Sequence, residues 1–191
     1  MSRVRSVGIG RDMRRLCAEL VGGLALPAPA EPRELYRALC EAMSRRRGRP
    51  VQFRTAAFPP GTASGLWLDM ADRDLVVVEE RTAPGHQLVI LGHELWHMQA
   101  DHSGHHVAGT GVATRLLGDD TDQAALQAAV HRVAARTRFD RSEERDAETF
   151  GLLLASRCRT WLAGSALRAP VRRGGVAGRI EASLGYPGPQ G

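Results

Sequence analysis

The chain has 191 residues, of which 43% are hydrophobic and 25% charged, a composition typical of a globular domain with one core. It excludes collagen-like, coiled-coil and disordered classes. The formal net charge of +5 rests on arginine alone, because the chain contains no lysine. Such a skew is as typical of a GC-rich coding background as of nucleic-acid binding, so we expect no direct binding to nucleic acid.

Cysteine usage and hydropathy give the expected compartment. Cys17, Cys40 and Cys158 are odd in number and far apart, which argues against a disulfide framework or a cysteine-based zinc knuckle. No segment approaches the roughly 20 apolar residues of a membrane span. The stretch 16–26 resembles a secretory signal only weakly, because Glu19 interrupts it. We therefore predict a cytoplasmic protein that does not enter a membrane.

Two helices are predicted in the first quarter of the chain. Residues 11–22 carry apolar side chains at helical spacing, and a Pro-rich segment follows. We assign residues 1–30 to this N-terminal helix and its linker. A second helix is expected over 31–47, and Gly48 is placed to end it.

The apolar period then changes to two, which is typical of strands. Short strands are predicted at residues 51–54, 66–68 and 75–78, with turn signals between them. The third is continuously apolar, and we interpret it as a buried strand. Because the three follow one another closely along the chain, we predict a three-stranded meander.

The second half of the chain is predicted to be helical. Helices are expected over residues 84–101, 121–137 and 140–162, and a loop over 103–118 joins the first two. Beyond them the chain is rich in Arg, Gly and Pro, so we expect a partly ordered tail over 164–191.

The strongest chemical signal is the sequence His-Glu-Leu-Trp-His at residues 93–97. On a helix, His93 and His97 lie one turn apart on the same face, so both imidazoles can reach one metal ion. Glu94 is rotated about 100° from His93, where it can accept a proton from water on that ion. Residues 87–92 are apolar nearly all round, which indicates a buried helix whose histidines need a partner. The alternative is a pair of core histidines satisfied by carboxylates or carbonyls.

A metal site of this kind needs a third protein ligand and an open position for water. The spacing H-x-x-G-x-x-H does not supply it, because Ser103 stands at the histidine position and His102 is one residue out of register. The helix over 140–162 offers glutamates instead. A carboxylate on a core face is costly unless it meets a cation, so we prefer Glu144 to Glu143. Glu144 shares its helix face with Ala147, Gly151, Leu154, Cys158 and Trp161.

Further residues are candidates for supporting roles. Glu148 lies one turn after Glu144, where it can accept the N–H of a ligating histidine, or it is simply a solvated carboxylate. His131 is a candidate to stabilise the oxyanion of a tetrahedral intermediate, and it can equally be solvated. Three more histidines are either loop residues or a second metal site: His102, His105 and His106.

These segments resemble the ImmA/IrrE family of metallopeptidases. That family pairs a helix carrying His-Glu-x-x-His with a later helix of the form Glu-x-Glu-Ala-Asn/Asp-x-Phe-Ala, and residues 86–102 and 143–154 are similar to both. The likeness extends over about residues 31–162. Trp96 stands where the family usually has a small residue, and Glu148 where it has Asn or Asp.

The resemblance implies that His93, His97 and Glu144 are zinc ligands and that Glu94 is the catalytic base. It also implies an α+β fold with one zincin-like domain, which we place at residues 31–163. In that fold a small three-stranded sheet packs on the metal-binding helix, and the C-terminal half is helical.

The function expected from the resemblance is that of a zinc-dependent metallo-endopeptidase. Its substrate would be a protein, namely a helix-turn-helix transcriptional repressor supplied in trans, in stress or mobile-element regulation. The alternative is a non-catalytic zinc-binding regulator or toxin–antitoxin component that works by binding a partner. A basic nucleic-acid-binding module is the third and weakest reading.

Overall fold

A computed structural model describes residues 2–70, 72–100 and 141–163 of the chain. These ranges form an α+β structure with four helices and three strands, so the predicted fold class is confirmed at this level. The elements in chain order are α1 Ser2–Gly22, α2 Pro32–Arg47, β1 Val51–Ala56, β2 Gly65–Asp69, β3 Asp74–Glu79, α3 Pro84–Ala100 and α4 Arg141–Leu162.

Helix α2 begins and ends where its local sequence predicts. Pro32 occupies the first turn, where its missing N–H is not needed. Gly48 ends the helix in the left-handed conformation, with φ +70°, and its N–H donates to the carbonyl of Ser44 at 2.9 Å. The predicted helix over 121–137 and the loop over 103–118 lie outside the described residues.

The sheet corrects one prediction. Its strand order is β1-β3-β2, with β1 parallel and β2 antiparallel to β3, so the three strands do not form a meander. The physical reason lies in β3, whose six residues are all buried. Its four central residues, 75–78, are all apolar, and such a run is favoured at the centre of a sheet, where neighbouring strands cover both edges. The continuous apolar run at residues 75–78 carried this signal.

Helix α3 lies between the sheet and α4, and it is buried along most of its length. It packs against β2 and β3 on one side. On the other side α3 and α4 approach backbone to backbone, because a Cβ on Gly151 would lie 2.4 Å from the carbonyl oxygen of Val89. A Cβ on Gly92 would likewise lie 2.8 Å from Cα of Gly151. This close contact fixes α4 against the helix that carries the histidine pair.

The N-terminal helix shares the core of the rest of the structure. Buried side chains of α1, including Leu16 and Leu20, belong to the same apolar cluster as those of α2, α3 and α4. The segment after α1 is tied to α4, since the indole N–H of Trp161 donates to the carbonyl of Leu26 at 2.9 Å. The apolar core is therefore continuous across the boundary that the sequence suggested at residue 30.

Two further expectations can be compared with the structure. All three cysteines are free, in agreement with the expectation from their spacing, and the structure buries all three. Among the described helices, none combines the length and apolarity needed to cross a membrane.

Candidate metal centre

The histidine pair lies on one face of α3, as its spacing predicts. The two Nε2 atoms of His93 and His97 are 3.0 Å apart, and the ring planes are inclined at 66°. His97 is completely buried, whereas 21% of the His93 side chain is exposed. The pair is therefore held firmly by the core while one of its rings reaches the surface.

Helix α4 brings Glu144 to both rings. Oε2 of Glu144 lies 3.5 Å from Nε2 of His93, and Oε1 lies 3.2 Å from Nε2 of His97. The Glu144 side chain is 31% exposed, so the site is open to solvent at both His93 and Glu144. Most of the α4 face predicted to be buried is buried, and its first turn places the Glu144 carboxylate at the edge of the core. The buried members of that face are Ala147, Gly151, Leu154 and Cys158, and Trp161 is half-buried.

The three side chains have the donor chemistry and the spacing of a metal site. One ligand atom from each of His93, His97 and Glu144 lies within 4.8 Å of the other two. Donors at about 2.0–2.2 Å around a tetrahedral ion are about 3.4 Å from one another. The separations of 3.0, 3.2 and 3.5 Å bracket that value. Two imidazoles and a carboxylate on a partly open site can hold a metal ion and leave a position for water.

The protonation of His93 favours this role. Burial lowers its pKa to about 4, with a further lowering by His97 and a partial offset by Glu144. The ring is consequently neutral at neutral pH and presents a lone pair rather than a positive charge. A neutral imidazole is the form that binds metals.

Glu94 lies beside the three donors but outside their group. Its carboxylate is almost fully buried, at 6% exposure, and it accepts a hydrogen bond from the backbone N–H of Trp67 on β2. Gly65 gives it room, since a Cβ there would lie 2.5 Å from Oε1 of Glu94. Burial, and next the charge of Glu144, raise the pKa of Glu94 to about 8. Such a carboxyl group exchanges its proton near neutral pH.

The structure describes only part of the supporting set that the sequence suggested. Glu148 is exposed, and in the described part of the chain it has no hydrogen bond to either imidazole, which favours the solvated alternative. His131 lies outside the described residues. The same is true of the three loop histidines: His102, His105 and His106.

Sequence reasoning missed the contributions of β2. Gly65 and Trp67 position Glu94 by leaving space and by donating a backbone hydrogen bond. Neither contribution uses a chemically distinctive side chain, so no motif marks them. The only available signal was a glycine directly before a short apolar run, and that pattern is common.

Comparison of the chain with family models, with curated proteins and with solved structures finds no match. The reading of this site therefore rests on its residues and their geometry.

Proposed function

We propose that this chain is a zinc-dependent metallo-endopeptidase with a zincin-like fold, similar to the ImmA/IrrE family. The observation that carries the proposal is that donor atoms of two imidazoles and one carboxylate, from His93, His97 and Glu144, all lie within 4.8 Å of one another. A buried glutamate with a pKa near 8 lies directly beside them. A metal group and an adjacent proton acceptor are the two parts that metal-assisted hydrolysis requires.

Zinc is the ion that this donor set favours. His93 and His97 supply nitrogen, which zinc binds readily, whereas calcium and magnesium prefer oxygen ligands throughout. Three protein ligands with a fourth open position are typical of catalytic zinc rather than structural zinc. The partial exposure of His93 and Glu144 supports the same reading, because an open position needs access from solvent.

The residues of the chain divide the hydrolytic work between them. When bound, zinc supplies polarisation of the scissile carbonyl and makes a water molecule more acidic. Glu94 takes the proton of the attacking water on its carboxylate and passes it to the leaving amine. The N–H of Trp67 holds that carboxylate against β2, so its position is set before substrate arrives.

A dication would also adjust Glu94 for this task. The carboxylate of Glu144 is one of the two causes that raise the pKa of Glu94. A positive ion bound by Glu144 offsets that charge, so the pKa of Glu94 falls and the ionised base becomes available at neutral pH. Binding of the metal and activation of the base are coupled in this way.

The substrate that we propose is a helix-turn-helix transcriptional repressor acting in trans in the cytoplasm, as the family resemblance implies. The test is co-expression of the chain with such a repressor encoded beside it in the genome, with cleavage followed on denaturing gels. The wild type should yield a defined cleavage product. Glu94→Gln should retain zinc and lose cleavage by at least roughly 100–10,000-fold, the usual contribution of a general base.

Glu148→Gln is the matched control for that variant, because Glu148 is an exposed glutamate on the neighbouring helix. It should cleave like the wild type. If neither the wild type nor Glu94→Gln cleaves the repressor and the biological response is the same for both, the non-catalytic alternative replaces the peptidase: a zinc-binding regulator or toxin-system component that acts by binding a partner. Purified protein that contains no zinc and is unaffected by a chelator would contradict both.

A further inference from the structure

The backbone N–H of Trp67 is the hydrogen-bond donor that the described residues offer to Glu94, so whatever holds Trp67 also sets the position of the general base. Strand β2 lies at an edge of the sheet, and the hydrogen bonds of an antiparallel pair alternate along each strand. Directly after β2, the N–H of Met70 donates to the carbonyl of Arg73 at 2.9 Å, so the even-numbered residues face β3. The N–H of Trp67 therefore points away from β3 and toward α3.

The side chain of Trp67 is anchored on a buried carboxylate. Its indole N–H donates to Oδ1 of Asp74 at 2.9 Å, and both side chains are buried. Oδ2 of Asp74 accepts from Nε of Arg47 at 2.8 Å and lies 3.5 Å from Nε of Arg49. The guanidinium group of Arg47 also lies over the Trp67 ring, 5.6 Å from its centroid, within the range of a cation–π contact. The indole is thus held at its edge by a carboxylate and on its face by an arginine.

Arg47 joins this anchor to the helix that carries the general base. Its Nη1 donates to the carbonyl of Met98 at 3.1 Å. Met98 comes four residues after Glu94 on α3, which is about one helical turn. One arginine at the end of α2 therefore contacts both the residue that donates to Glu94 and the helix on which Glu94 lies.

Stability alone does not require a charged group at this place. Burying an ion pair removes its hydration, and that cost often equals or exceeds the attraction between the two charges. Apolar side chains of similar volume are often at least as stabilising. A network of hydrogen bonds adds direction, because each bond restricts an angle as well as a distance. The direction of the Trp67 N–H is the property that the proposed reaction uses.

We propose that Trp67, Asp74 and Arg47 are positioning residues for the general base, acting on Glu94 through the backbone N–H of Trp67. The inference rests on the proposed peptidase function, in which Glu94 moves the proton of the attacking water. A misplacement of about 1 Å can cost about 100-fold in rate. Loosening the anchor should therefore slow the chemical step and leave the binding of zinc and of substrate unchanged.

Trp67→Phe tests the proposal, because it keeps the backbone N–H and an aromatic ring and removes the indole donor to Asp74. With the repressor of the co-expression test as substrate, kcat should fall at least about tenfold. KM and zinc affinity should stay within about twofold of the wild type, the pattern of an interaction that matters only in the transition state.

Trp161→Phe is the matched control for that variant. It also removes an indole hydrogen bond of 2.9 Å, in this case to the carbonyl of Leu26. Trp161 follows Glu144 on α4 by 161 − 144 = 17 residues, or about 25 Å along the helix. This variant should have the kcat of the wild type.

Amide hydrogen exchange measures the positioning itself and needs no cleavage. In the ¹⁵N-labelled full chain, Trp67→Phe should speed exchange of the amide of residue 67 at least about tenfold more than exchange at Leu66 and Leu68. Those two residues pair with Val77 and Leu75, so their amides donate to β3. A variant that only weakened the strand would speed all three amides together.

Arg47→Lys is a second variant, which carries the test if Trp67→Phe does not fold. Lysine keeps a positive charge beside Asp74 but lacks the planar fork that contacts the carboxylate, the indole and the carbonyl of Met98 together. Arg45→Lys is its control, since Arg45 lies on the same helix and donates to the carbonyl of Gly23 at 2.9 Å. Arg47→Lys should reproduce both effects of Trp67→Phe, and Arg45→Lys neither.

Two results would overturn the proposal. The first is a wild-type kcat in both Trp67→Phe and Arg47→Lys while Glu94→Gln is inactive, because the base then needs no anchor. The second is equal acceleration of exchange at residues 66, 67 and 68, which makes the group purely structural. If the wild type cleaves no repressor, the peptidase function fails, and exchange alone then decides whether the anchor holds the Trp67 N–H on Glu94.

Discussion

Two glutamates of this protein are about equally buried, and yet their pKa values are shifted in opposite directions from the ordinary value of a glutamate side chain. Glu79, at the end of β3, is 8% exposed and has a pKa lowered to about 2, whereas Glu94, on α3, is 6% exposed and has a pKa raised to about 8. Burial alone raises both values. The difference comes from the charges and hydrogen-bond donors that surround each carboxylate.

Glu79 is surrounded by donors. Burial raises its pKa, but this is outweighed by the side chain and backbone of Arg81 and by the backbone N–H of Phe58. Nε of Arg81 lies 2.8 Å from Oε1, and the N–H of Phe58 donates to Oε2 at 2.9 Å. These contacts tie the chain after β1 to the chain after β3. The ionised form of Glu79 therefore stabilises the fold.

Among the described residues, Glu94 has one hydrogen-bond donor, the backbone N–H of Trp67, and the like charge of Glu144 acts on it. The N–H of Trp67 lowers its pKa, but burial and the carboxylate of Glu144 together raise it far more. A group in this state adds little to stability in its ionised form, and it responds to whatever enters the site. Equally buried glutamates thus differ in role: the ionised form of Glu79 stabilises the fold, whereas Glu94 has the raised pKa that the proposed proton transfer would use.

The largest effect is expected from Glu144→Gln, which removes both a candidate metal ligand and the like charge beside Glu94. Zinc affinity should fall by more than about 100-fold, since even residues that merely orient a ligand contribute about 10–100-fold. Isothermal titration calorimetry with zinc measures it, with Glu148→Gln as the matched control. Wild-type affinity in Glu144→Gln would contradict the three-ligand site.

The next effect is on stability, at the other glutamate. Glu79→Gln replaces a carboxylate that accepts several hydrogen bonds, so the free energy of unfolding should fall by about 1–3 kcal/mol at pH 7. Because the pKa of Glu79 is lowered in the folded protein, its contribution is present above about pH 4.5 and is lost as the pH falls toward 2. Urea unfolding of both proteins should therefore differ at pH 7 and converge at low pH.

The pH dependence contributed by Glu94 should have the opposite sign. Its pKa is raised in the folded protein, so its contribution is fully present below about pH 4.5 and is lost as the pH rises through 8. Glu94→Gln cannot ionise and keeps an acceptor for Trp67. In the presence of a chelator, the free energy of unfolding of the variant should therefore gain steadily on that of the wild type between those pH values. A parallel pH profile for the two proteins would show that Glu94 ionises without penalty.

The smallest effect is expected from Arg81→Gln. Arg81 is 57% exposed, so solvent weakens its attraction to Glu79, and the backbone N–H groups remain as donors. Stability at neutral pH should fall less than in Glu79→Gln, and the pKa of Glu79 should rise toward its ordinary value without reaching it. Carboxyl ¹³C chemical shifts during an acid titration measure that pKa directly. A larger loss than in Glu79→Gln would mean that Arg81 acts elsewhere in the fold.

Much of the candidate metal centre could be predicted from the sequence because helical spacing is a local property. The interval between His93 and His97 places both rings on one face, and the apolar face of α4 points to Glu144 over Glu143. The structure brings these three side chains together as predicted. The strand order could not be read in the same way, because the proximity of strands in the chain does not determine their pairing.

The surroundings of each ionisable side chain are determined by the tertiary fold and not by the local sequence. Nothing in the sequence around residues 79 and 94 distinguishes a glutamate held by donors from one held beside another carboxylate. A charged cavity beside Trp96 is likewise lined by residues of four separate helices: Asp12, Arg15, Arg46, Gln99 and Asp146. Such neighbours are distant along the chain, so local patterns carry no information on them.

By itself, this sequence determines features that depend on overall composition, such as the arginine content, and features that depend on short spacings, such as the histidine pair. It excludes several classes of protein, predicts α2, α3 and α4 to within one residue at each end, and marks three candidate metal ligands, because composition and periodicity act over short distances. The first helix, predicted over 11–22, extends back to Ser2. The tertiary structure alone decides that β3 is central, that Glu94 lies beside Glu144 with a pKa near 8, and that Trp96 faces a charged cavity. Electrostatic and packing effects depend on distances in space, and only the folded chain sets those.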